Sequence, residues 1–145
     1  MPYTIKPFAF LAMAKPIGPT CNLNCTYCYY LEKQKLFRDT GSSRMSDELL
    51  EKFIKQYIGV QQANTIHFVW QGGEPALLGL EYFEKVIALQ KKHAGDKRIE
   101  NSFQTNGTLL DDRWCAFFKN NNFLVGISID GPKHIHDEYR TFRNG

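Results

Sequence analysis

Cys21, Cys25 and Cys28 stand in a C-x3-C-x2-C run with no fourth cysteine nearby. Four thiolates would close a zinc or iron–sulfur site. Three thiolates on a four-iron cubane leave one iron without a protein ligand, and that open position can bind and activate a small molecule. Two blander arrangements use the same residues. Zinc could take the three cysteines together with a distant His67, His93, His134 or His136, or two of the thiols could pair as a disulfide. Cys115 lies in the hydrophobic run Trp114-Cys115-Ala116-Phe117-Phe118. A lone helical cysteine there is expected to be a small buried hydrophobe and not a ligand.

The elements that must position these cysteines alternate between β-rich and helical runs. Phe8 to Met13 reads as a first strand, nearly all apolar and so expected to be buried on both faces. The cysteine loop follows it. Ser46 can cap a helix whose Leu49, Leu50, Phe53, Ile54, Tyr57 and Ile58 form one buried stripe, with Gly59 as its stop. The residues from about Phe37 to Ser43 read as loop. Thr65 to Trp70 is a second strand, ended by Gly72-Gly73-Glu74-Pro75, and Glu81 to Lys92 a second helix. Ile99 to Thr105 is a third strand, closed by Asn106-Gly107. A third helix starts at Asp111 or Asp112, Phe123 to Ile129 is a fourth strand, and a short helix begins near Lys133.

Strands alternating with helices predict an α/β fold with a parallel sheet and right-handed crossovers. Ligands gather at the carboxyl ends of such strands. The cysteine loop, the Gly-Gly-Glu-Pro turn, Gln104-Thr105-Asn106-Gly107 and Ser128-Ile129-Asp130-Gly131-Pro132 each follow a strand, so one shared site is expected. The bulk properties fit a single domain. The chain has 145 residues and a net charge of +3 with no basic block, which argues against nucleic acid as a partner. No run approaches the ~20 apolar residues of a membrane span, and no leader is evident. The expected compartment is the cytoplasm, where thiols stay reduced.

With Tyr27 just before the last cysteine, the triplet resembles the cluster motif of the radical S-adenosylmethionine (radical SAM) enzymes. The resemblance narrows through four ordered motifs: the cysteine loop through Tyr30, Trp70 to Pro75, Asn101 to Gly107, and Gly126 to Pro132. Together they resemble the anaerobic sulfatase-maturating enzymes over most of the chain from Cys21 to Arg140. The resemblance implies a partial parallel (β/α) barrel, of which about four strand–helix units are present. It also implies a [4Fe-4S] cluster on Cys21, Cys25 and Cys28, binding S-adenosyl-L-methionine whose reductive cleavage gives a 5′-deoxyadenosyl radical. The radical's task in that family is oxidation of a sulfatase cysteine or serine to Cα-formylglycine.

By position, Tyr27, Gly73, Ser128 and Arg140 match the family's S-adenosylmethionine contacts. Gly72, Gly73 and Glu74 form a turn whose free carbonyls and carboxylate suit its ammonium group. Ser128 suits the ribose, Arg140 the methionyl carboxylate, with Arg143 an equally basic competitor, and Tyr27 the adenine. Tyr30 and Gln71 match residues near the substrate peptide. Implied partners are a sulfatase polypeptide and a low-potential electron donor of flavodoxin or ferredoxin type. The family's core has six strand–helix units and a cysteine-rich C-terminal domain that carries the proton-accepting acid. Residues 1–145 are therefore expected to be the N-terminal portion of such a core, with no catalytic acid of their own. A truncated, inactive iron–sulfur or zinc-binding fragment is one alternative, and another radical SAM peptide-modifying enzyme is a second.

Overall fold

The computed structural model describes residues 10–37 and 43–143. Four parallel strands, β1 (Ala12–Ala14), β2 (Thr65–Trp70), β3 (Arg98–Thr105) and β4 (Phe123–Ile127), pair in sequence order. The helices are α1 (Tyr30–Lys33), α2 (Asp47–Val60), α3 (Leu80–His93), α4 (Asp112–Asn120) and α5 (Lys133–Tyr139), with short 3-10 turns at Gln34–Phe37 and Pro75–Leu78. This is the expected α/β alternation, with a sheet that does not close among the described residues. No helix among the described residues is long and apolar enough to cross a membrane.

Alternation along the strands sends Ile66, Phe68, Trp70 and Phe103 to one face, where Leu50, Ile54, Tyr57, Phe83, Val86, Trp114, Phe117 and Phe118 from α2, α3 and α4 cover them. Edge-on aromatic contacts tie the layers, including Phe83 on Phe103 at 4.9 Å and Tyr57 on Phe68 at 4.9 Å. The core also contains a polar knot. Asn101 Oδ1 accepts from Trp70 Nε1 and from Gln90 Nε2, both at 2.8 Å, and Asn101 Nδ2 donates to Gln90 Oε1 at 2.9 Å. This knot pins β2, β3 and α3 in register. Asn101→Ala strands the buried indole N–H and the Gln90 amide, and is expected to cost about 1–3 kcal/mol, read by urea unfolding.

Several sequence expectations need correction. The first strand is only Ala12–Ala14, and Phe8 and Ala9 lie outside the described residues. Leu11 is 61% exposed and Met13 48%, because the helices cover only one face of the sheet. Leu49 is exposed as well, off the stripe formed by Leu50, Ile54, Tyr57 and Ile58. Gly59 does not end α2, which runs to Val60 because the Lys97 ammonium caps the carbonyls of Ile58 and Gln61. Cys115 is exposed and not buried. Helical spacing turns Trp114, Phe117 and Phe118 inward and carries Cys115 round to the other side. Ser128 and Ile129 lie past the end of β4, although Ser128 N still donates to Thr105 O at 2.9 Å. Of the loop expected at 37–43, residues 38–42 lie outside the described residues.

Candidate functional site

The cysteine loop that follows β1 and the carboxyl ends of β2, β3 and β4 open into one cavity of about 230 Å³. Cys21, Cys25 and Cys28 line it, with Tyr27, Tyr30, Gln71, Gly72, Gly73, Ser128 and Arg140, so the strand-end motifs do converge. A hollow of about 260 Å³ on the helical side, lined by Leu78, Glu81, Asp111 and Trp114 among others, carries no thiol and no strand end.

The cysteine loop is held at its place by the segment that leaves α5. Asn24 N donates to Thr141 O at 2.7 Å, Thr26 N to Tyr139 O at 3.0 Å, and Leu23 bridges to Phe142. Those bonds bring Arg140 over the Tyr27 ring, 5.5 Å from its centroid. Arg140 Nε pairs with Asp130 at 2.9 Å, and the Tyr27 hydroxyl donates to the same carboxylate. The guanidinium, then the phenol, hold the Asp130 carboxyl below its ordinary range. Arg143 is not part of the cavity; its Nε donates to Leu23 O at 3.4 Å.

Gly72 and Gly73 are required where they stand. Their φ values are +97° and +50°, and a Cβ on Gly73 would lie 2.0 Å from Thr20 O. The turn thus packs directly on the residue that precedes Cys21, and Glu74 N donates to Thr20 O at 2.8 Å. Glu74 itself departs from its expected role as an ammonium acceptor. It is fully buried outside the cavity lining, and its carboxylate accepts from Ala76 N at 3.0 Å, Thr105 Oγ1 at 2.8 Å and Asn106 N at 2.7 Å. Burial pushes its carboxyl up, against the pull of those donors. Glu74 ties the ends of β2 and β3 together and leaves the cavity to the glycines.

The cysteines suit a cluster. All three are free thiols, and burial pushes those of Cys21 and Cys25 up, offset in Cys21 by the Leu23 N–H and in Cys25 by the Arg140 charge. Leu23 N donates to Cys21 Sγ at 3.3 Å and Asn106 Nδ2 approaches it at 3.7 Å, so donors stand ready for a thiolate. The three thiols share the wall of one cavity, a donor set that fits a group whose irons each take a different cysteine. None of the four histidines lines that cavity.

Sequence reasoning missed three contributors. Lys15, the residue after β1, donates to Tyr30 at 2.7 Å and to Tyr29 at 3.4 Å, and lies 4.9 Å from the Tyr30 centroid. Its bond to Tyr30 holds the ammonium above lysine's ordinary value. Asp130 and Gln104 lie inside strand-end motifs whose composition alone assigns them no role. Position at a strand end was the available signal for all three.

A Radical SAM superfamily signature matches residues 16–145. The chain is 52% identical over 144 residues to the serine-type anaerobic sulfatase-maturating enzyme of Bacteroides thetaiotaomicron, covering 98% of this chain and 35% of that protein. It is 46% identical over 128 residues to the cysteine-type anaerobic sulfatase-maturating enzyme of Clostridium perfringens, covering 86% of this chain and 34% of that one. A solved structure of native anSMEcpe with bound AdoMet and Cp18Cys peptide matches with a TM-score of 0.80 and 44% identity, over 91% of this chain and 34% of that one. The chain spans about a third of the length of the curated relatives it matches. The signature spans the cysteine loop and the carboxyl ends of β2, β3 and β4, and the chain belongs to the radical SAM superfamily.

Proposed function

We propose that this chain carries the radical-generating site of an enzyme that oxidises a cysteine or serine of a sulfatase polypeptide to Cα-formylglycine. Cys21, Cys25 and Cys28 would hold a [4Fe-4S] cluster. When bound, the cluster supplies the electron that cleaves S-adenosylmethionine to methionine and a 5′-deoxyadenosyl radical, the hydrogen-abstracting agent. The observation that carries this reading is the sharing of one cavity by three free thiols, the Gly72-Gly73 turn and Arg140.

The chain's own residues divide the remaining work. Carbonyls freed by the Gly72-Gly73 turn accept from the cofactor's ammonium group, and Arg140, anchored through Nε by Asp130, offers its cation to the carboxylate. Tyr27 presents a ring to the adenine, and Ser128 a hydroxyl to the ribose. Tyr30 and Gln71 contact the substrate peptide from the cavity wall, with Lys15 fixing the Tyr30 phenol. In this reading the chain is the N-terminal portion of a radical SAM core, the proton acceptor lies in the C-terminal part of the whole enzyme, and the electron comes from a flavodoxin- or ferredoxin-type donor.

Anaerobic reconstitution with iron and sulfide, followed by electron paramagnetic resonance of the reduced chain, tests the site. The expected result is a four-iron signal that changes when S-adenosylmethionine is added. Zinc uptake without iron, or a cluster signal indifferent to S-adenosylmethionine, would sink the proposal. For the substrate, the whole enzyme should convert sulfatase-derived peptides bearing cysteine or serine to an aldehyde that a hydrazide probe captures; no aldehyde from either peptide rejects the sulfatase assignment alone.

A further inference from the structure

Gly126 sits opposite Gln104 in the β3–β4 register. Unlike the turn glycines it has no left-handed φ, so its backbone does not call for glycine. What calls for glycine is space. A Cβ at position 126 would lie 2.3 Å from Gln104 Oε1 and 3.2 Å from its Cδ. The Gln104 side chain crosses the strand through that gap, and its Nε2 donates to Ser128 Oγ at 3.0 Å. A glycine inside a strand that yields room to a neighbouring group is a recognised use of the residue.

The bond sets the polarity of the serine. A hydroxyl has one hydrogen to give and two lone pairs to accept with. Gln104 fills an acceptor site, and among the described residues that is the only hydrogen bond of this side chain, so the Ser128 hydrogen remains for a ligand oxygen. Gln104 and Ser128 both line the cavity. We propose that Gln104, laid across Gly126, is a positioning residue that makes Ser128 a hydrogen-bond donor and so makes the site selective for an intact ribose diol. The proposal rests on the reading of Ser128 as the ribose contact.

The ligand that isolates this effect is 5′-methylthioadenosine, which has the adenosine part of the cofactor but no amino acid to reach iron. Its affinity for the reconstituted chain is compared, by calorimetry, with that of its 2′,3′-dideoxy counterpart. One neutral hydrogen bond predicts a preference of about threefold to tenfold for the intact ribose. Gln104→Glu keeps the size of the side chain but removes its donor, and Gly126→Ala keeps the glutamine but closes its gap on a backbone that alanine tolerates. Both are expected to bring the preference close to parity, as is Ser128→Ala. If Ser128→Ala abolishes the preference while Gln104→Glu and Gly126→Ala retain it, the positioning role is overturned and the ribose contact stands. A preference that survives Ser128→Ala, or none in the parent chain, overturns the ribose contact and the positioning role with it.

Discussion

Cys25→Ala is expected to abolish retention of iron and sulfide after anaerobic reconstitution, while leaving the helical content of the chain intact. Cys25 is 8% exposed and sits at the centre of the loop, where its carbonyl accepts from Cys28 N at 3.0 Å. Alanine keeps that backbone bond and fills nearly the same volume, so the fold loses little. In the proposed site the cluster would lose one of its three protein ligands. Changes to groups that merely orient a ligand already cost about 10–100-fold in metal affinity, and loss of the ligand itself is expected to exceed that. Cys115→Ala is the matched control, since Cys115 is an exposed thiol on α4 outside the cavity lining. Iron and sulfide are measured per chain after desalting, with far-ultraviolet circular dichroism on the same samples. Loss of iron in both variants would assign retention to thiols in general and not to the cavity.

The sequence made β2, β3, β4 and most helix starts legible because their signals are local. Ser46 caps α2 by accepting from Leu49 N at 3.2 Å, and Asp111 caps α4 by accepting from Trp114 N at 2.9 Å, as those residue types predict. The convergence of motifs was legible for a different reason: a parallel sheet places every strand's carboxyl end on one side. What escaped were features set by three-dimensional neighbours. The exposure of Cys115 and Leu49 depends on which way their helices roll onto the sheet. Glu74 looked like a ligand-binding carboxylate until its three donors placed it beneath the loop. The roles of Lys15, and of Gln104 over Gly126, depend on cross-strand register and loop placement, which no single motif encodes.

Gly73→Ala is expected to destabilise the chain by about 2–5 kcal/mol, from about 1–2 for a side chain held in the left-handed region and about 1–3 for overpacking. The overpacking has nowhere to go. The added Cβ would meet Thr20 O at 2.0 Å, Thr20 C at 2.7 Å and Thr20 N at 2.9 Å, all backbone atoms. Thr20 leads directly into Cys21, so relief by moving Thr20 shifts one of the three proposed cluster cysteines and couples the stability loss to the site. Gly79→Ala separates the two contributions. Its φ is +82°, but nothing lies within 4 Å of its added Cβ. With ψ at 161° it lies in an extended region that is essentially glycine-only, so it is expected to lose a conformational part alone, about 1–3 kcal/mol, and to assemble the cluster as the parent does. Urea unfolding of both variants, together with iron content after reconstitution, decides the matter. Equal losses of stability with unchanged iron in both would mean that the Gly73–Thr20 approach is not what holds the cysteine loop in place.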